Sequence, residues 1–388
     1  MKNTMKKIGF IPLRENSKGI PGKNKRKMVG RPLFTWVLGE AYFSNLDEIY
    51  VYTDDEDIIN FVNKEYHYTN KIKAIKRPEE TATDTASTES AMLQFAESVN
   101  YDFDVFCLLQ ATSPFTTAQD INTCLEQLKD DYDSALTVVN THRFLWNENG
   151  TPINYDYKNR PRRQDFNGLL VENGAVYVCT KAVLKNKQNR LGDKVAIVKM
   201  DEDSLLEIDS ESDWIAIEEL LIERQKSQKE NKKITHLVLD VDGVFTDGSI
   251  AYTKEGEHSK RFDMRDGMGL EILRQFGVEV IVMTSEQSEL VAKRMQKLQI
   301  EKMYLGVKDK FTLLNKIAKE EQITLGHFAY IGDDVNDLAN ICSVGWSFAP
   351  NNATAIVKSN ADIVLSKNSA NGAIREACEF IRSYNKRF

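Results

Sequence analysis

Apolar and polar positions along the chain alternate on two scales. Short apolar runs of the kind that form buried strands are separated by stretches in which apolar residues recur at helical spacing. We predict strands at 8–13, 47–53, 105–109, 134–139, 175–179, 237–239, 278–283 and 328–331. Strands that alternate with helices in this way indicate an α/β fold with largely parallel sheets.

One polar, charged segment interrupts this pattern. The sequence LLIERQKSQKENKK at 220–233 begins with the pattern of an amphipathic helix. Its end is polar and charged and has no residues typical of strands or turns. Such a segment is typical of the end of a helix followed by a linker. We therefore predict two domains, residues 1–228 and 235–388, joined by a linker at 229–234, in keeping with a length of 388 residues.

In the second predicted domain, polar side chains stand where apolar runs end. They are Asp240 and Asp242, Thr284, Lys310 and Asp333. Because the carboxyl ends of parallel strands meet at one edge of a sheet, we expect these groups to converge. An aspartate nucleophile, a hydroxyl, a lysine and further carboxylates form a Mg²⁺-assisted phosphoryl-transfer site. The alternative is a solvated turn with incidental acids, although burying unpaired carboxylates costs several kcal/mol each.

These residues carry a resemblance to a known family. Residues 236–388 resemble phosphatases of the haloacid dehalogenase superfamily, with its DxD, Thr, Lys and GDDxxD elements present. The segments DGVFTDG, FDMRDGMG and GAIRE are typical of a small capless branch that dephosphorylates 2-keto-3-deoxy sugar acids. The resemblance implies a Rossmann-like domain in which Asp240 attacks phosphorus. Asp242 would protonate the leaving alkoxide and then activate water.

The same resemblance implies the remaining roles. Thr284 and Lys310 would hold the phosphoryl oxygens. Mg²⁺, which prefers oxygen ligands, would be bound by Asp240, Asp333 and the backbone carbonyl of Asp242. Asp334 and Asp337 have weaker claims, as outer or orienting groups.

The residues after Thr284 bear on the substrate. This chain has Ser285 and Glu286, where KDO-8-phosphate phosphatases of this branch usually have Gly-Arg. Relatives that act on nine-carbon acid 9-phosphates resemble this chain in having glutamate here and a lysine at the position of Lys297. We expect Glu286 and Lys297 to lie on one helix face, three turns apart. Alternatively, both are ordinary exposed helix charges.

The first predicted domain begins with a basic loop. Between Arg14 and Arg31 there are seven basic residues and one acid, Glu15, directly after the first predicted strand. Gly19 and Gly22 free the backbone, so the loop is suited to cradle phosphate, although it is not a Walker loop. The alternative is a surface basic patch.

A second cluster of basic residues occurs at 160–165, where three arginines fall within six residues. Guanidinium groups bind carboxylates with two parallel hydrogen bonds, so this cluster suggests a substrate that carries an acid. The alternative is a solvated charge cluster.

Residues 5–225 resemble the CMP-sialic acid synthetase family of cytidylyltransferases. The matching segments are IPLRENSKGIPGKN, RPEETATDTAS, LLQATSP, PRRQD with the following ENGAVYV, and EID. The resemblance implies a nucleotide-diphospho-sugar transferase-like mixed sheet in a sandwich of layers, with CTP as co-substrate and Mg²⁺ as cofactor. The KDO cytidylyltransferases are the nearest competing family, and their first loop is built differently.

By this resemblance each matching residue has a role. Contacts to CTP are implied for Arg14, Ser17, Lys23, Asn24, Arg77, Thr88, Gln110 and Asn173, the last beside the nucleotide. Contacts to the sugar acid are implied for Arg143, Arg163 and Gln164. Asp209 and Glu207 would bind Mg²⁺; many members of the family have aspartate at the position of Glu207, so this second ligand departs from the pattern.

Composition excludes several classes of function. A net charge of −7 argues against nucleic-acid binding, and no apolar run approaches the ~18 residues that a membrane span requires. The amino-terminal residues enter a strand at once, so we expect no secretion signal. Five scattered cysteines without metal spacing indicate reduced thiols and a cytoplasmic protein.

The sequence therefore predicts a bifunctional enzyme that dephosphorylates a nonulosonic acid 9-phosphate and transfers CMP from CTP to the free acid. One alternative is a cytidylyltransferase whose second domain is a non-catalytic oligomerisation module, and another is a pair of activities directed at KDO. Family resemblance further implies a homotetramer in which the hairpin predicted at 252–262 completes a neighbouring site. Small molecules are the expected partners.

Overall fold

The computed structural model describes residues 5–15, 19–83, 85–128 and 131–388. Contacts between Cα atoms divide the chain into two compact units. The first unit comprises the described residues of Met1–Arg26 and Pro32–Ile217, and the second comprises Lys27–Arg31 and Glu218–Phe388.

The elements up to residue 227 belong to an α/β fold. The strands are β1 (Lys7–Pro12), β2 (Lys27–Met28), β3 (Arg31–Pro32), β4 (Glu48–Thr53), β5 (Ile72–Lys76), β6 (Val105–Leu109), β7 (Ser134–Thr141), β8 (Leu169–Thr180) and β9 (Val195–Met200). The helices are α1 (Phe34–Phe43), α2 (Glu56–Glu65), α3 (Glu79–Ala82), α4 (Thr88–Ser98), α5 (Ala118–Gln127), α6 (Lys181–Lys187) and α7 (Glu211–Ser227).

Seven of these strands form a mixed sheet in the order β5-β4-β1-β6-β8-β7-β9. β8 runs antiparallel to both of its neighbours, while the other pairs are parallel. Side chains of β1 alternate between the two faces: Ile8 and Phe10 pack toward α4 and α6, and Ile11 packs toward α1, α2 and α5. The sheet is thus covered by helices on both sides.

The elements from residue 236 onward form the α/β fold of the second unit, to which Lys27–Arg31 and the part of α7 from Glu218 also belong. Its strands are β10 (His236–Leu239), β11 (Ala251–Thr253), β12 (Gly256–Ser259), β13 (Glu279–Thr284), β14 (Lys302–Leu305), β15 (Phe328–Ile331), β16 (Trp346–Ala349) and β17 (Ile363–Val364). Its helices are α8 (Met264–Gln275), α9 (Glu289–Lys297), α10 (Lys310–Glu320), α11 (Leu338–Ile341), α12 (Ala355–Asn360) and α13 (Ala373–Asn385).

Six of these strands make a parallel sheet in the order β14-β13-β10-β15-β16-β17. Helices α8, α9 and α13 cover one face, and α10, α11 and α12 cover the other. β10 lies between β13 and β15, so the three strand ends with predicted catalytic groups are neighbours. β11 and β12 form a separate antiparallel hairpin.

The fold class predicted from the sequence is confirmed, and all eight predicted strands are present. Five further strands of the two main sheets were not predicted: β5, β9, β14, β16 and β17. Four of them are the outermost strands of the sheets.

The segment 229–234 is in contact with the rest of the second unit. Lys229 Nζ lies 2.5 Å from Asp362 Oδ2. Ile234 is fully buried, and its backbone N–H donates to Asn385 Oδ1 at 2.9 Å.

All five cysteines are buried as free thiols. Burial raises the pKa of Cys124 and of Cys179 to about 12 and that of Cys342 to about 11. It also raises the pKa values of Cys107 and Cys378. In the described part of the chain, no helix has the length and apolar character to cross a membrane.

Candidate active sites

The sheet of the second unit places the predicted catalytic groups at one edge. Asp240 follows β10 directly and continues its pairing with β15, since its backbone N–H donates to the carbonyl of Ile331 at 3.1 Å. Thr284 is the last residue of β13 and is buried. Asp333 comes two residues after the end of β15. Parallel pairing of adjacent strands is therefore what brings these three side chains together.

Gly243 permits the close approach of this loop to Asp333. Its φ is +81°, and a Cβ atom at this position would lie 1.9 Å from Asp333 Oδ2. Any larger residue would push the carboxylate out of place and would also strain the backbone.

Lys310 links the carboxylates of the cluster. Its side chain is buried at the start of α10, and its Nζ lies 2.8 Å from Asp240 Oδ2 and 2.8 Å from Asp337 Oδ1. The Tyr330 hydroxyl also donates to Asp337 Oδ1, at 2.6 Å. The backbone N–H of Asp333 donates to Asp337 Oδ2 at 3.3 Å. Both oxygens of Asp337 are thus engaged by protein donors, as expected of an orienting group.

Burial and mutual repulsion shift the pKa values of the carboxylates in this cluster. Burial, together with the charge of Asp337, raises the pKa of Asp240 to about 7, although Lys310 opposes the shift. Burial and the charges of Asp337 and Asp240 raise the pKa of Asp333 to about 8. Burial lowers the pKa of Lys310, but Asp240 and Asp337 outweigh it and the net shift is upward. Lys310 contacts two of the three carboxylates, those of Asp240 and Asp337.

The arrangement fits a divalent cation. Carboxylate oxygens of Asp240, Asp333 and Asp337 lie within 4.8 Å of one another. Asp333 Oδ1 is buried and has no hydrogen-bond partner, so it has a lone pair to offer. Asp240 and Asp337 each have protein donors on both oxygens, so Asp333 is the clearest candidate for a direct ligand in this group. Hard carboxylate oxygens suit Mg²⁺.

Asp242 has two unequal oxygens. Oδ1 accepts from Lys260 Nζ at 2.7 Å and from the Thr246 hydroxyl at 3.3 Å, whereas Oδ2 is buried without a partner. The contact of Lys260 with Asp242 was not predicted from the sequence, because nothing in the spacing of residues 242 and 260 indicates it. Thr284 Oγ1 accepts from the Glu286 backbone N–H at 3.2 Å.

The predicted relation between Glu286 and Lys297 is wrong. Helix α9 begins only at Glu289, because Ser288 caps it by accepting from the Val291 N–H. Glu286 therefore lies in the loop before the helix and cannot share a helix face with Lys297. Both side chains are exposed, and within the described residues no ion pair joins them.

The first unit contains a cavity of about 330 Å³ at the ends of β1 and β6. Six of the residues predicted to contact CTP line it, together with the predicted metal ligand Asp209: Arg14, Lys23, Asn24, Arg77, Thr88 and Gln110. Ser17 lies outside the described residues. The sequence-distant segments of the resemblance thus meet at a single cavity.

Cations of this cavity are held at fixed positions. Arg77 is buried and donates to the carbonyl of Thr81, and Arg14 Nη1 donates to the carbonyl of Thr83 at 2.9 Å. Burial lowers the pKa of Arg77, and the charge of Arg14 lowers it further. Burial likewise lowers the pKa of Lys23, partly offset by Asp209 and Glu207. Crowded, partly desolvated cations of this kind favour an anionic ligand.

The basic loop approaches the carboxylate segment closely. Lys23 Nζ donates to the carbonyl of Ile208 at 2.5 Å and lies 3.8 Å from Asp209 Oδ1. A Cβ atom on Gly19 would lie 2.5 Å from the carbonyl oxygen of Asp209, so only glycine fits there. Glu207 and Asp209 are exposed on either side of the buried Ile208. Both carboxylates are thus available to a metal ion.

A second cavity of about 220 Å³ adjoins the first. The two share Lys23, Gln110, Thr112 and Asp209. Asn173 lines the second cavity, not the first, and its side chain is held by the Thr137 hydroxyl at 2.7 Å and by Ser204 Oγ at 2.9 Å.

Arg190 and Tyr177 also line the second cavity and were not predicted. Arg190 Nε donates to Glu89 Oε1 at 2.6 Å, and its guanidinium lies 4.9 Å from the centre of the Tyr177 ring.

Three predicted sugar-acid contacts are placed elsewhere. Arg143, Arg163 and Gln164 are exposed and line neither of the two cavities. Arg163 Nη2 lies 4.0 Å from Glu202 Oε2. Their predicted role stays a prediction.

Comparison with known proteins assigns a family to each part of the chain. A family model described as cytidylyltransferase matches residues 8–160, and one described as haloacid dehalogenase-like hydrolase matches residues 283–376. An N-acylneuraminate cytidylyltransferase of Oncorhynchus mykiss is 31% identical over 393 residues, covering 97% of this chain and 89% of that protein.

Two phosphatases are similar to the C-terminal part. A 3-deoxy-D-manno-octulosonate 8-phosphate phosphatase of Haemophilus influenzae is 36% identical over 154 residues, covering 40% of this chain and 86% of that protein. A solved structure of a phosphatase with the same substrate in its name, from Moraxella catarrhalis, is 34% identical and covers 44% of this chain and 94% of that chain, with a TM-score of 0.39. The protein therefore belongs to the N-acylneuraminate cytidylyltransferase family and is an enzyme in which a cytidylyltransferase domain is followed by a haloacid dehalogenase-like hydrolase domain.

Proposed function

We propose that the protein transfers CMP from CTP to a nonulosonic acid and also hydrolyses the 9-phosphate of such an acid. The observation that carries this proposal is the presence of two differently built sites in one chain. One is a cavity lined by Arg14, Lys23 and Arg77, and the other is the cluster formed by the buried Asp240 and Lys310 with the half-buried Asp333. The first suits a triphosphate, and the second suits attack on a phosphate monoester.

In CMP transfer, the anomeric hydroxyl oxygen of the sugar acid attacks the α-phosphorus of CTP and loses its proton to water. The bond from this phosphorus to the bridging oxygen breaks, and pyrophosphate leaves with the electron pair. Arg14, Lys23 and Arg77 neutralise charge on the triphosphate, so catalysis consists mainly of positioning and electrostatic stabilisation. Asp209 and Glu207 would hold Mg²⁺, which supplies further positive charge at the phosphates.

The second cavity is our candidate for the sugar acid. It shares Lys23 and Asp209 with the nucleotide cavity, so a ligand there lies beside the triphosphate. Arg190 carries only hydrogen-bond donors and is fixed by Glu89, so it suits an acceptor oxygen on the sugar.

In phosphate release, an oxygen of Asp240 bonds to phosphorus while the bond from phosphorus to the sugar oxygen breaks. The sugar oxygen keeps the electron pair and takes a proton from Asp242. Water then attacks the phosphorus of the aspartyl phosphate and gives a proton to Asp242, and the Asp240 carboxylate departs. Lys310 and Thr284 hold the phosphoryl oxygens. Asp240, Asp333 and the backbone carbonyl of Asp242 would hold Mg²⁺, which neutralises charge on the phosphoryl group when bound.

A panel of free and phosphorylated sugar acids, assayed with CTP, tests both activities. We expect CMP transfer to a free nonulosonic acid and phosphate release from its 9-phosphate in the presence of Mg²⁺. Phosphate release from none of the esters would leave the second domain as a non-catalytic oligomerisation module. Preference for KDO in both assays would replace the proposed substrate class.

Glu286 tests the choice of phosphate ester. A glutamate repels a carboxylate and accepts hydrogen bonds from hydroxyls, whereas an arginine would capture the carboxylate. We expect a higher kcat/KM for a nonulosonate 9-phosphate than for KDO-8-phosphate, and a shift toward the latter in Glu286→Arg. A wild-type enzyme that prefers KDO-8-phosphate would refute the assignment. Glu289→Arg, in the first turn of α9, is the matched control for added positive charge.

We also propose a cytoplasmic homotetramer, on the basis of family resemblance. Light scattering on the purified protein measures its mass in solution. A monomer or dimer with full phosphatase activity would exclude the tetramer as a requirement of the second site.

A further inference from the structure

Lys260 is a buried cation next to the proposed phosphatase site. Its side chain is 1% exposed, and its Nζ lies 2.7 Å from Asp242 Oδ1 and 3.1 Å from Glu257 Oε1. Glu257 also accepts a hydrogen bond from the Ser288 hydroxyl, at the start of α9. A chain of polar contacts therefore joins Asp242 to the loop that follows Thr284.

The ammonium of Lys260 is enclosed between two carboxylates, those of Asp242 and Glu257. Removing one partner of a buried ion pair leaves the other charge buried and unpaired, which costs free energy. Lys260 and Asp242 therefore hold each other in place. An ammonium only donates hydrogen bonds, which fixes the oxygen it contacts as an acceptor.

The two oxygens of Asp242 differ in a way that matters for proton transfer. Oδ1 is occupied by Lys260 and by the Thr246 hydroxyl, at 2.7 and 3.3 Å. Oδ2 is buried and has no hydrogen-bond partner in the protein. A buried polar atom without a partner is uncommon and suggests a ligand or substrate contact.

We infer that Lys260 is a positioning residue of the phosphatase, which anchors Asp242 Oδ1 and leaves Oδ2 as the oxygen that exchanges the proton. Oδ2–H protonates the sugar oxygen as its bond to phosphorus breaks, and the resulting carboxylate later takes a proton from the attacking water. This inference rests on the proposed phosphatase activity. It adds a residue outside the sequence motifs and assigns the reactive oxygen.

Substrates with different leaving groups separate positioning from general support of the fold. An alkyl phosphate such as a nonulosonate 9-phosphate needs a proton on its leaving oxygen. In 4-nitrophenyl phosphate the leaving group is stable as an anion. General acid–base catalysis contributes about 10²–10⁴-fold, so misplacing Asp242 should affect the two esters unequally.

The test measures kcat/KM for both esters in Lys260→Met, Lys260→Arg and the control Lys386→Met. Lys386 follows the end of α13 and is exposed. We expect Lys260→Met to lose about 10²-fold on the alkyl ester and only a few-fold on the aryl ester. Lys260→Arg should recover part of the loss, and Lys386→Met should match the wild type.

A second readout concerns the water-activating step. If Asp242 is misplaced, hydrolysis of the aspartyl phosphate becomes slow, so Lys260→Met should release a burst of 4-nitrophenolate equal to the enzyme concentration. CMP transfer by the same preparation reports whether the first domain remains intact. The melting curve reports on the fold of the whole chain. Should Lys260→Met not fold, Lys260→Gln, which retains a donor, is used for the same comparison.

The outcomes are distinct. Equal losses on the two esters without a burst would show that Lys260 only supports the fold, and unchanged kinetics would show that it has no role; either result overturns the inference. A wild-type protein that hydrolyses neither ester would instead overturn the proposed phosphatase function, and the inference with it.

Discussion

Lys23 shows what one side chain contributes to the first site. It lines both cavities and lies near Asp209, and its pKa is lowered chiefly by burial. Binding a triphosphate would relieve the cost of burying this cation, so Lys23 is better matched to the bound state than to the empty one.

We expect Lys23→Ala to reduce CMP transfer by about 10²-fold, because losing a charge-assisted contact to a reacting phosphate costs about 3 kcal/mol. Lys25→Ala is the matched control: Lys25 is two residues away, pairs with Asp55 and Asp57, and lines neither cavity. Initial rates of pyrophosphate release measure the difference. Equal rates in the two variants would return the basic loop to the status of a solvated patch.

Gly243 allows a similar test in the second site. We expect Gly243→Ala to raise the Mg²⁺ concentration for half-maximal phosphate release by about 10-fold or more, because the added methyl group would displace Asp333, a proposed ligand. Gly248→Ala is matched for backbone strain, since its φ is +80°, but its Cβ would meet only atoms at 3.7 Å or more. Equal shifts of the half-maximal Mg²⁺ concentration in Gly243→Ala and Gly248→Ala would contradict the expectation.

At the scale of elements, Asp266 joins two helices that are far apart in sequence. It is fully buried in α8, and its Oδ1 accepts from the Arg375 N–H at 2.9 Å, in the first turn of α13. Helix α13 begins after Gly372, which has no side chain to cap it. The Asp266 side chain, which belongs to α8, therefore caps α13 and connects the FDMRDGMG and GAIRE segments.

We expect Asp266→Ala to destabilise the second domain by ~1–2 kcal/mol, the usual cost of losing a helix cap. Burial raises the pKa of Asp266 to about 6, above ~3.9 for an unfolded aspartate. The folded state thus binds more protons between these values, and its stability falls as pH rises from about 4 to about 6. Asp266→Asn has no such proton to lose, so its stability relative to the wild type should increase over this range.

Amide hydrogen exchange in the first turn of α13, measured at pH 5 and pH 7, reports how the local stability of this helix end changes with pH. Glu271→Gln, which neutralises an exposed carboxylate of the same helix, α8, is the control. A relative stability of Asp266→Asn that does not change with pH would show that the Asp266 carboxyl is not the titrating group.

Strands in which every residue is buried were predictable from the sequence. Every residue of β6, β10 and β15 is buried, and these strands appear as continuous apolar runs. The outer strands β5, β9, β14 and β17 contain partly exposed residues. They do not appear as continuous apolar runs, so they were not predicted from the sequence. A strand that is solvated on one side leaves a weaker signal.

The candidate sites divide along similar lines. Convergence of Asp240, Thr284 and Asp333 could be predicted because it follows from the order of parallel strands. Contacts made by loops, such as Lys260 with Asp242, depend on tertiary packing that no spacing rule contains. The position of Glu286 was mistaken because Ser288, two residues later, is the cap at which the helix begins.

At the scale of the whole molecule, two activities on one chain give a test that neither domain gives alone. With a nonulosonate 9-phosphate as the sole sugar, we expect CMP-sugar to form only after phosphate has been released. Asp240→Asn should block both products from the phosphate ester, because the nucleophile is lost. The same variant should still transfer CMP to the free acid, at a rate within a few-fold of the wild type.

Glu301→Gln, which neutralises an exposed carboxylate of the same domain, is the control. Chromatography of the nucleotide products resolves CTP, CMP and CMP-sugar in one run. Formation of CMP-sugar from the ester by Asp240→Asn would exclude the covalent mechanism. Failure with the free acid as well would show that the two domains depend on each other structurally.

The burial of all five thiols has a practical consequence for labelling. Thiol reagents react with the thiolate, and each cysteine here is both inaccessible and held in its neutral form by a raised pKa. A fluorophore or spin label introduced through a single new cysteine, for example by Lys386→Cys after α13, should therefore attach at that position alone. The native cysteines need not be replaced first, so distance measurements on the working enzyme can begin from the unmodified sequence.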